Sequence, residues 1–298
     1  MNRRTFMNMS AAGLASLLLP KATGNAKQTA KQPNILWIMV EDMSPHLSCY
    51  GETTIKTPNL DRLASQGAMF TNCFVTSPVC SPSRSAMITG MYQTTIGAHN
   101  HRSSRGQFPI NLPSQIKLLP EYFRQAGYYV CNGNSACSNV NDFGIKQYRG
   151  KTDYNFVYDK SLYDGLDWSG RQKGQPFFAQ IQLLGGKRRH RVTVPHPVDP
   201  AKVKLPPYYP DHPILRQDWA EYLNSVIITD YEVKHILNRL DEEGVADNTI
   251  VIFLTDHGIS HARDKQFLYE GGIHVPLIIR WPGKIKPGTV RDDLISHI

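Results

Sequence analysis

Short apolar runs alternate with helical patterns along most of this 298-residue chain. The runs at residues 34–40 (NILWIMV), 176–184 (PFFAQIQLL) and 249–254 (TIVIFL) are apolar almost throughout, as strands buried on both faces of a sheet are. A chain that alternates strands with helices pairs its strands mainly in parallel, because each helix carries the chain back to the starting edge. The sequence therefore predicts an α/β fold with a mostly parallel central sheet flanked by helices.

Turn residues and apolar spacing define the remaining elements. Three further strands are predicted at residues 68–75, 128–131 and 275–280, the last of these being the final strand. Three helices are predicted between Thr57 and Gly67, over residues 114–126, and from about residue 216 to 243. The strand at 249–254 delivers residues 255–258 (TDHG) to its carboxyl end, which is where open α/β sheets bind ligands.

Net charge does not support a nucleic-acid partner. The chain carries a formal charge of +8, but residues 1–31 contribute five basic residues and no acid, which leaves +3 for the rest. No basic stripe with interleaved aromatic residues is present in the sequence, so nucleic-acid binding is disfavoured. The local basic cluster at residues 187–191 (KRRHR) fits an anionic ligand or a solvated loop, and both interpretations stay open.

The N-terminus has the layout of an export signal. A twin-arginine segment, residues 2–7 (NRRTFM), precedes a short apolar stretch, residues 10–20 (SAAGLASLLLP). That stretch is too short to span a bilayer as a helix, and a polar, lysine-containing segment follows it, so a retained anchor helix is the less favoured alternative. We therefore predict that residues 1–31 are an export signal and linker read by the twin-arginine export machinery, and that the protein is periplasmic or extracellular.

The cysteine pattern excludes two common roles. The five cysteines, at positions 49, 73, 80, 131 and 137, are too few and too scattered for a disulfide framework, and their odd number leaves at least one thiol over. No pair has the Cys-x-x-Cys spacing of a structural zinc or redox site.

Residues 79–90 (VCSPSRSAMITG) follow a predicted strand and open a predicted helix. Pro82 suits the first helical turn, and Ser81 or Ser83 can cap it. The free N–H groups of such a helix start, next to Arg84, favour an anion and would place Cys80 in an electropositive pocket. Taken alone, an ordinary capped helix with a buried cysteine is the better interpretation of this segment.

Acidic residues follow two of the predicted strands. Glu41 and Asp42 come directly after the first strand, and Asp256 follows the strand at 249–254. The carboxyl ends of parallel strands meet at one edge of a sheet, so these side chains are expected to lie together. Carboxylate oxygens are the ligands that calcium and magnesium prefer, so a hard-cation site is predicted at this edge.

The chain resembles a known family at several separate places. The run Cys-Ser-Pro-Ser-Arg at 80–84, followed by SAMITG, is similar to the signature of type I sulfatases, and the resemblance covers roughly residue 33 to the end of the chain. Further matching segments are residues 33–51, 57–75, 249–258 and 263–283. The resemblance implies an alkaline-phosphatase-like α/β sandwich, with residues 32–298 as the N-terminal catalytic domain of an enzyme whose C-terminal subdomain lies beyond this sequence.

The resemblance also implies a nucleophile and a metal. In that family the first cysteine of the signature is oxidised to formylglycine by a sulfatase-maturing enzyme, and one Ca²⁺, less often Mg²⁺, lies beside it. Matched by position, the ligands are Glu41, Asp42, modified Cys80, Asp256 and His257. Glu41 stands where the family usually has Asp, and His257 stands at a frequent Asn position. His257 is therefore either a ligand or a hydrogen-bond partner of the nucleophile or the scissile oxygen.

The remaining catalytic residues are implied in the same way. Arg84 helps one oxygen of the hydrated formylglycine to attack sulfur, while Lys265 and Lys151 match family lysines that contact sulfate, Lys265 more securely. The alternative for Lys151 is a plain surface lysine. The general acid is either His190 or Lys187, with His190 slightly preferred, unless the site is altered for another substrate. Lys187 and Lys265 are the predicted substrate-binding residues.

Two positions depart further from the family pattern. Asp153 stands where a histidine is often found two residues after the first lysine. His196 is a third candidate for the general acid, although a loop position suits it better.

The activity implied by the resemblance is hydrolysis of sulfate esters or sulfamates. The chain is similar to bacterial relatives of arylsulfatase A and of N-sulfoglucosamine sulfohydrolase, so a sulfated carbohydrate is preferred over a small sulfate ester as substrate. A phosphoesterase or phosphonate hydrolase of the same superfamily is the nearest rival, but such enzymes usually present Ser or Thr as nucleophile and bind two metals. A catalytically silent protein that binds sulfated glycans is the alternative from another class.

Overall fold

The structure, a computed structural model, describes residues 32–135, 149–188 and 192–298. The predicted export segment, Cys137 and His190 lie outside these residues. Within the described ranges, no helix combines the length and the apolar character that a membrane crossing requires.

One sheet organises the described part of the chain. Its strands are β1 (Asn34–Val40), β2 (Ala68–Phe74), β3 (Tyr129–Ser135), β4 (Phe177–Leu183), β5 (Thr249–Thr255), β6 (His274–Arg280) and β7 (Thr289–Ser296). Their spatial order is β3-β4-β1-β5-β6-β2-β7. Neighbouring strands pair in parallel except β6, which is antiparallel to both β5 and β2. The predicted α/β fold with a mostly parallel sheet is confirmed.

Helices lie on both faces of the sheet. They are α1 (Pro58–Ser65), α2 (Cys80–Thr89), α3 (Leu119–Gln125), α4 (Pro213–Glu242) and the short α5 (Glu270–Ile273). Leu36 and Ile38 of β1 pack in one core with α1 and α4, whereas Trp37 and Met39 pack in a second core with α2. Successive side chains of a strand point to opposite faces, so the continuous apolar run of β1 is explained by burial on both sides.

Three predicted elements were wrong in extent or number. Strand β3 runs to Ser135, four residues beyond the predicted end at 131. Helix α3 begins at Leu119 rather than at residue 114, because Pro120 lies in its first turn and the Glu121 carboxylate accepts from Leu118 N at 2.6 Å. Strand β6 is not the last strand, since β7 follows it at the edge of the sheet. The sequence TVRDDLIS of β7 is mostly exposed, so it lacks the apolar alternation that identifies a strand covered on one face.

Candidate active site

The carboxyl ends of β1 and β5 place the acidic residues side by side. The two strands pair in register, with Val40 beside Thr255, so Asp42 and Asp256 follow at the same edge. Asp42 N donates to Asp256 Oδ1 at 3.1 Å. Asp42 also has a left-handed backbone with φ of 53°, a conformation that a non-glycine residue keeps only where its surroundings hold it.

Helix α2 begins at Cys80, and its residues 80–88 are all buried. Its N-cap is Val79, which has an extended backbone and offers no side-chain cap, so the predicted capping by Ser81 or Ser83 was wrong. Ser81 Oγ instead lies 3.0 Å from Nδ1 of His101, and Ser83 Oγ donates to the backbone oxygen of Asp256. The signature serines therefore tie the helix to neighbouring segments.

A buried cluster of metal-ligating side chains joins these elements. Ligand atoms of Asp42, Cys80, Asp256 and His257 all lie within 4.8 Å of one another. His257 Nε2 is 3.2 Å from Cys80 Sγ and 3.0 Å from Asp42 Oδ1. The structure thus brings four of the five predicted metal ligands together. Glu41 is not grouped with them, and its role as a ligand stays a prediction.

Glu41 faces two of the three predicted site lysines instead. Its Oε2 atom accepts from Lys151 Nζ at 2.7 Å and from Lys187 Nζ at 3.0 Å. The third predicted lysine, Lys265, places Nζ 2.9 Å from Asp42 Oδ1. All three lysines therefore lie against carboxylates of the strand ends, where an anionic substrate would compete for them.

Arg84 projects from α2 into the same cluster. Its Nε donates to Asp256 Oδ2 at 2.9 Å, and its Nη1 donates to Gln182 Oε1 at 2.8 Å and to the Lys151 backbone oxygen at 3.1 Å. Its buried Nη2 has no hydrogen-bond partner among the residues that the structure describes. A buried guanidinium N–H without an acceptor is costly, so this atom is suited to an oxygen that the polypeptide itself does not supply.

The charges of the cluster stabilise one another. Burial, the largest single influence, opposes the ionised forms of Asp42 and Asp256. The hydrogen bond and charge of His257 together with Lys265 at Asp42, and the charges of His257, Arg84 and Lys151 at Asp256, outweigh it and hold the pKa of both carboxyls well below the usual range. Burial also opposes the charged form of His257, yet the two carboxylates raise its pKa to about 10. These interactions favour the ionised form of both carboxyls and the protonated form of His257, and a cation bound by the carboxylates would oppose that protonated form.

Cys80 differs from the other described cysteines. Burial and the Asp256 charge oppose its ionisation, but the hydrogen bond from His257 and the charges of His257 and Lys151 lower the pKa of the thiol. Burial raises the pKa of Cys49 and Cys73 to about 12 and that of Cys131 still further. The Cys80 environment is therefore built for an anion or a reactive group rather than for packing alone.

The cluster fits a calcium ion in part of its donor set. Asp42 and Asp256 supply the hard, ionised oxygens that Ca²⁺ prefers. A thiolate is a soft ligand that suits other metals better, so Cys80 fits calcium only after its sulfur has been replaced by oxygen. Within the described part of the chain Arg84 Nη2 has no acceptor, which is consistent with such an added oxygen nearby.

A glycine pair after β4 lets the Lys187 loop approach β1. Gly185 has a left-handed backbone with φ of 51°, and a Cβ there would lie 2.3 Å from the Glu41 backbone oxygen. A Cβ on Gly186 would lie 2.1 Å from the Asp42 backbone oxygen. Only glycine allows this close approach, which places Lys187 against Glu41.

The basic cluster at 187–191 is only partly available to a ligand. Arg188 is buried and pairs with Glu232 of α4 at 2.7 Å, so it serves packing, while the side chain of Lys187 is half exposed. His190, the preferred general acid, lies outside the described residues, and its role stays a prediction. His196 is exposed in a loop.

Sequence reasoning missed two basic residues beside the signature. His101 contacts Ser81 as described above, and burial together with the Arg102 charge lowers its pKa. Arg102 N donates to Ser81 Oγ at 2.8 Å, and its side chain pairs with Asp153. No motif spacing marks these residues, because the loop after α2 is brought back to Cys80 only by tertiary folding.

Fold and site together define an alkaline-phosphatase-like α/β protein that holds a buried thiol among carboxylates and cations. A family model described as Sulfatase matches residues 33–298. The chain belongs to the sulfatase family.

Individual relatives agree with this assignment. The chain is 30% identical over 317 residues to an ulvan-active sulfatase of Formosa agariphila, covering 90% of this chain and 50% of that protein. It is 30% identical over 322 residues to the N-acetylgalactosamine-6-sulfatase of Homo sapiens, covering 91% and 61% respectively. The chain therefore spans half to about three fifths of the length of these relatives.

Solved structures share the fold. One, a protein in complex with its substrate D-glucosamine-2-N,6-O-disulfate, matches with a TM-score of 0.65 and 18% identity over 90% of this chain and 74% of its own. The phosphonate monoester hydrolase of Agrobacterium radiobacter matches with a TM-score of 0.69 and 18% identity over 89% and 71%. At this identity the likeness establishes the fold alone.

Proposed function

We propose that this protein hydrolyses sulfate esters or sulfamates of a sulfated carbohydrate. The observation that carries the proposal is the position of Cys80, with its thiol 3.2 Å from His257 and grouped with Asp42 and Asp256. Family membership supports the same activity, because relatives include an ulvan-active sulfatase and an N-acetylgalactosamine-6-sulfatase, whose names indicate sulfated sugars. Export through the twin-arginine route would bring the enzyme to such extracellular polymers.

The cations of the site would bind the sulfuryl group. Negative charge builds up on the sulfuryl oxygens during hydrolysis, and groups already in place stabilise that charge without reorganisation. Arg84 is held by Asp256 and Gln182, so its Nη2, which has no partner among the described residues, is fixed in position. Lys151 and Lys265 are partly exposed, with 19% and 23% of their side chains accessible, so a bound sulfate can reach them.

The strand-end residues would hold the cofactors. Asp42 and Asp256, with His257 and Glu41 as further candidates, would hold one Ca²⁺, which supplies Lewis-acid polarisation when bound. Cys80, once oxidised to formylglycine by a sulfatase-maturing enzyme, would supply the nucleophilic oxygen. In the thiol form Cys80 stands in for that group, with its sulfur at the place of the oxygen.

A proton must also reach the leaving oxygen or nitrogen. We retain His190 as the preferred donor and Lys187 as the alternative. Lys187 Nζ lies against Glu41, 3.0 Å from Oε2, on the half-exposed side of the site. Replacing each with glutamine and comparing substrates with good and poor leaving groups would identify the donor, because loss of a general acid slows poor leaving groups most.

The rival function is hydrolysis of a phosphonate or phosphate monoester. The fold shared with a phosphonate monoester hydrolase supports it, because phosphoryl and sulfuryl transfer need similar cations. The sulfatase proposal is favoured because the described metal-ligating cluster around Cys80 holds one acidic set rather than two.

The test is mass spectrometry of the peptide containing position 80, after co-expression of the full-length protein with a sulfatase-maturing enzyme. The expected result is formylglycine at that position together with sulfate release from sulfated oligosaccharides. The Cys80→Ala variant is the matched control and should release none. Unmodified thiol with no sulfate release, or faster turnover of phosphonate monoesters than of any sulfate, would overturn the proposal.

A further inference from the structure

Two arginines outside the cysteine–carboxylate cluster converge on one buried carboxylate. Arg102 forms a two-point ion pair with Asp153, with Nε 3.0 Å from Oδ1 and Nη2 3.0 Å from Oδ2. Arg105 Nη2 also donates to Oδ1 of Asp153. Lys151 Nζ lies 3.6 Å from Oδ2. One carboxylate therefore meets three cations, at the position where the sequence resemblance led us to expect a histidine.

The basic side chains of this region outnumber its acids. Glu41 and Asp153 are shared among four cations, namely Arg102, Arg105, Lys151 and Lys187. The two carboxylate side chains are only 3% and 1% exposed, whereas those of Arg102 and Arg105 are 41% and 57% exposed. Because the negative groups are enclosed and the positive groups reach solvent, the region presents a positive field to an approaching ligand.

The surplus of positive charge lies next to the signature helix. Arg102 N donates to the hydroxyl of Ser81, the residue after Cys80. Lys151 connects the two parts of the site, because its backbone oxygen accepts from Arg84 and its ammonium faces both Glu41 and Asp153. The arginine pair therefore borders the place where the scissile sulfate would bind.

One sulfate ester does not account for all of these cations. A sulfate monoester brings a single negative charge, for which Arg84, Lys151 and Lys265 are already in place. Arginine binds carboxylate and sulfate oxygens through a planar fork, which suits recognition more than a solvated lysine does. Asp153 carries one negative charge against the two guanidinium charges of Arg102 and Arg105, so the pair keeps positive charge for a further anionic group of the same ligand.

We propose that Arg102 and Arg105 form a second anion subsite beside the scissile group, so that the substrate is a saccharide with at least one further sulfate or carboxylate near the sulfate that is removed. This inference rests on the proposed function and specifies its substrate class. Asp153 is a positioning residue in this subsite, because it anchors both guanidinium groups from the buried side.

The test measures binding, so that it does not depend on turnover. Full-length protein carrying Cys80→Ala is titrated calorimetrically with matched monosulfated and disulfated forms of galactose, glucosamine and N-acetylgalactosamine. For at least one sugar, the disulfated form should bind about tenfold more tightly than the monosulfated form, and higher ionic strength should reduce that ratio. A disaccharide with one sulfate and one uronate, titrated alongside, distinguishes a carboxylate from a sulfate as the second anion.

The Arg105→Gln variant should lower the disulfate preference about tenfold. The matched control is Arg291→Gln, since Arg291 is similarly exposed, at 54%, and forms an ion pair with Asp293 at 2.6 Å. The control should keep the preference. Equal preference in the Arg105 and Arg291 variants, or no preference for a second anion with any sugar, would overturn the inference. Sulfate release by the matured enzyme is measured separately, so a failure of the proposed activity is distinguishable from a failure of this subsite.

Discussion

Removing the Arg84 guanidinium should destabilise the protein strongly. Arg84 Nε lies 2.9 Å from Asp256 Oδ2, and the two side chains are 1% and 0% exposed. The change Arg84→Met keeps an unbranched side chain but leaves the Asp256 carboxylate buried without this partner. Breaking one side of a buried ion pair typically costs about 3–5 kcal/mol. Because His257 also stabilises the Asp256 charge, we expect the lower end, about 3 kcal/mol of unfolding free energy.

An exposed pair gives the reference for this magnitude. Arg124 and Asp164 lie 2.8 Å apart, but their side chains are 41% and 31% exposed. Water screens such a pair, so Arg124→Met should cost less than about 1 kcal/mol. The contrast between the two methionine variants therefore isolates the effect of burial.

The assay is urea unfolding at neutral pH, followed by circular dichroism, of Arg84→Met, Asp256→Asn and the double variant. Because the partners are in direct contact, the double variant should be more stable than the summed single costs predict, by about 2 kcal/mol. The reasoning is refuted if the two costs add within about 0.5 kcal/mol, or if Arg84→Met costs no more than Arg124→Met.

Three further outcomes are expected. Calcium at about 100 times its Kd should stabilise the matured protein by about 2.7 kcal/mol, measured by thermal unfolding. Asp42→Asn should abolish most of this stabilisation, and an equal stabilisation of the wild type and the variant would contradict Asp42 as a calcium ligand. Burial raises the pKa of Asp230 from 3.8 to about 6, because the neutral carboxyl is favoured in the folded state. The contribution of Asp230 to the free energy of unfolding is therefore present at low pH and is lost as pH rises through 6. Between pH 5 and pH 8 the wild type should therefore lose about 1 kcal/mol relative to Asp230→Asn in urea titrations, and a reversed slope would show that the carboxylate is not penalised by burial. Gly186→Ala should cost about 1–3 kcal/mol because its Cβ would lie 2.1 Å from a backbone oxygen, whereas Gly106→Ala, whose nearest neighbour is at 3.4 Å, should be close to neutral in the same measurement.

Most elements of the sheet could be predicted because burial on both faces leaves a local signal. The strand predicted at 34–40 is confirmed as β1 (Asn34–Val40), and that at 249–254 is confirmed with one added residue. Strand β7 could not be predicted, since its side chains are mostly exposed at the sheet edge and its pattern is set by pairing with β2. The local amino-acid composition of an edge strand does not indicate which strand it pairs with.

The sequence by itself determined the family, most strands of the sheet and the residues that meet at its carboxyl edge. Signature residues such as Cys80 and strand-end acids such as Asp42 are identifiable because their chemistry and their position after a strand are both local properties. The tertiary structure alone decided which charges face one another. It turned Glu41 towards Lys151 and Lys187, and it brought Arg102 from the loop after α2 onto Asp153. Ion-pair energy depends on distance and on burial, and both are set by segments that are far apart in the chain, so no pattern of neighbouring residues specifies them.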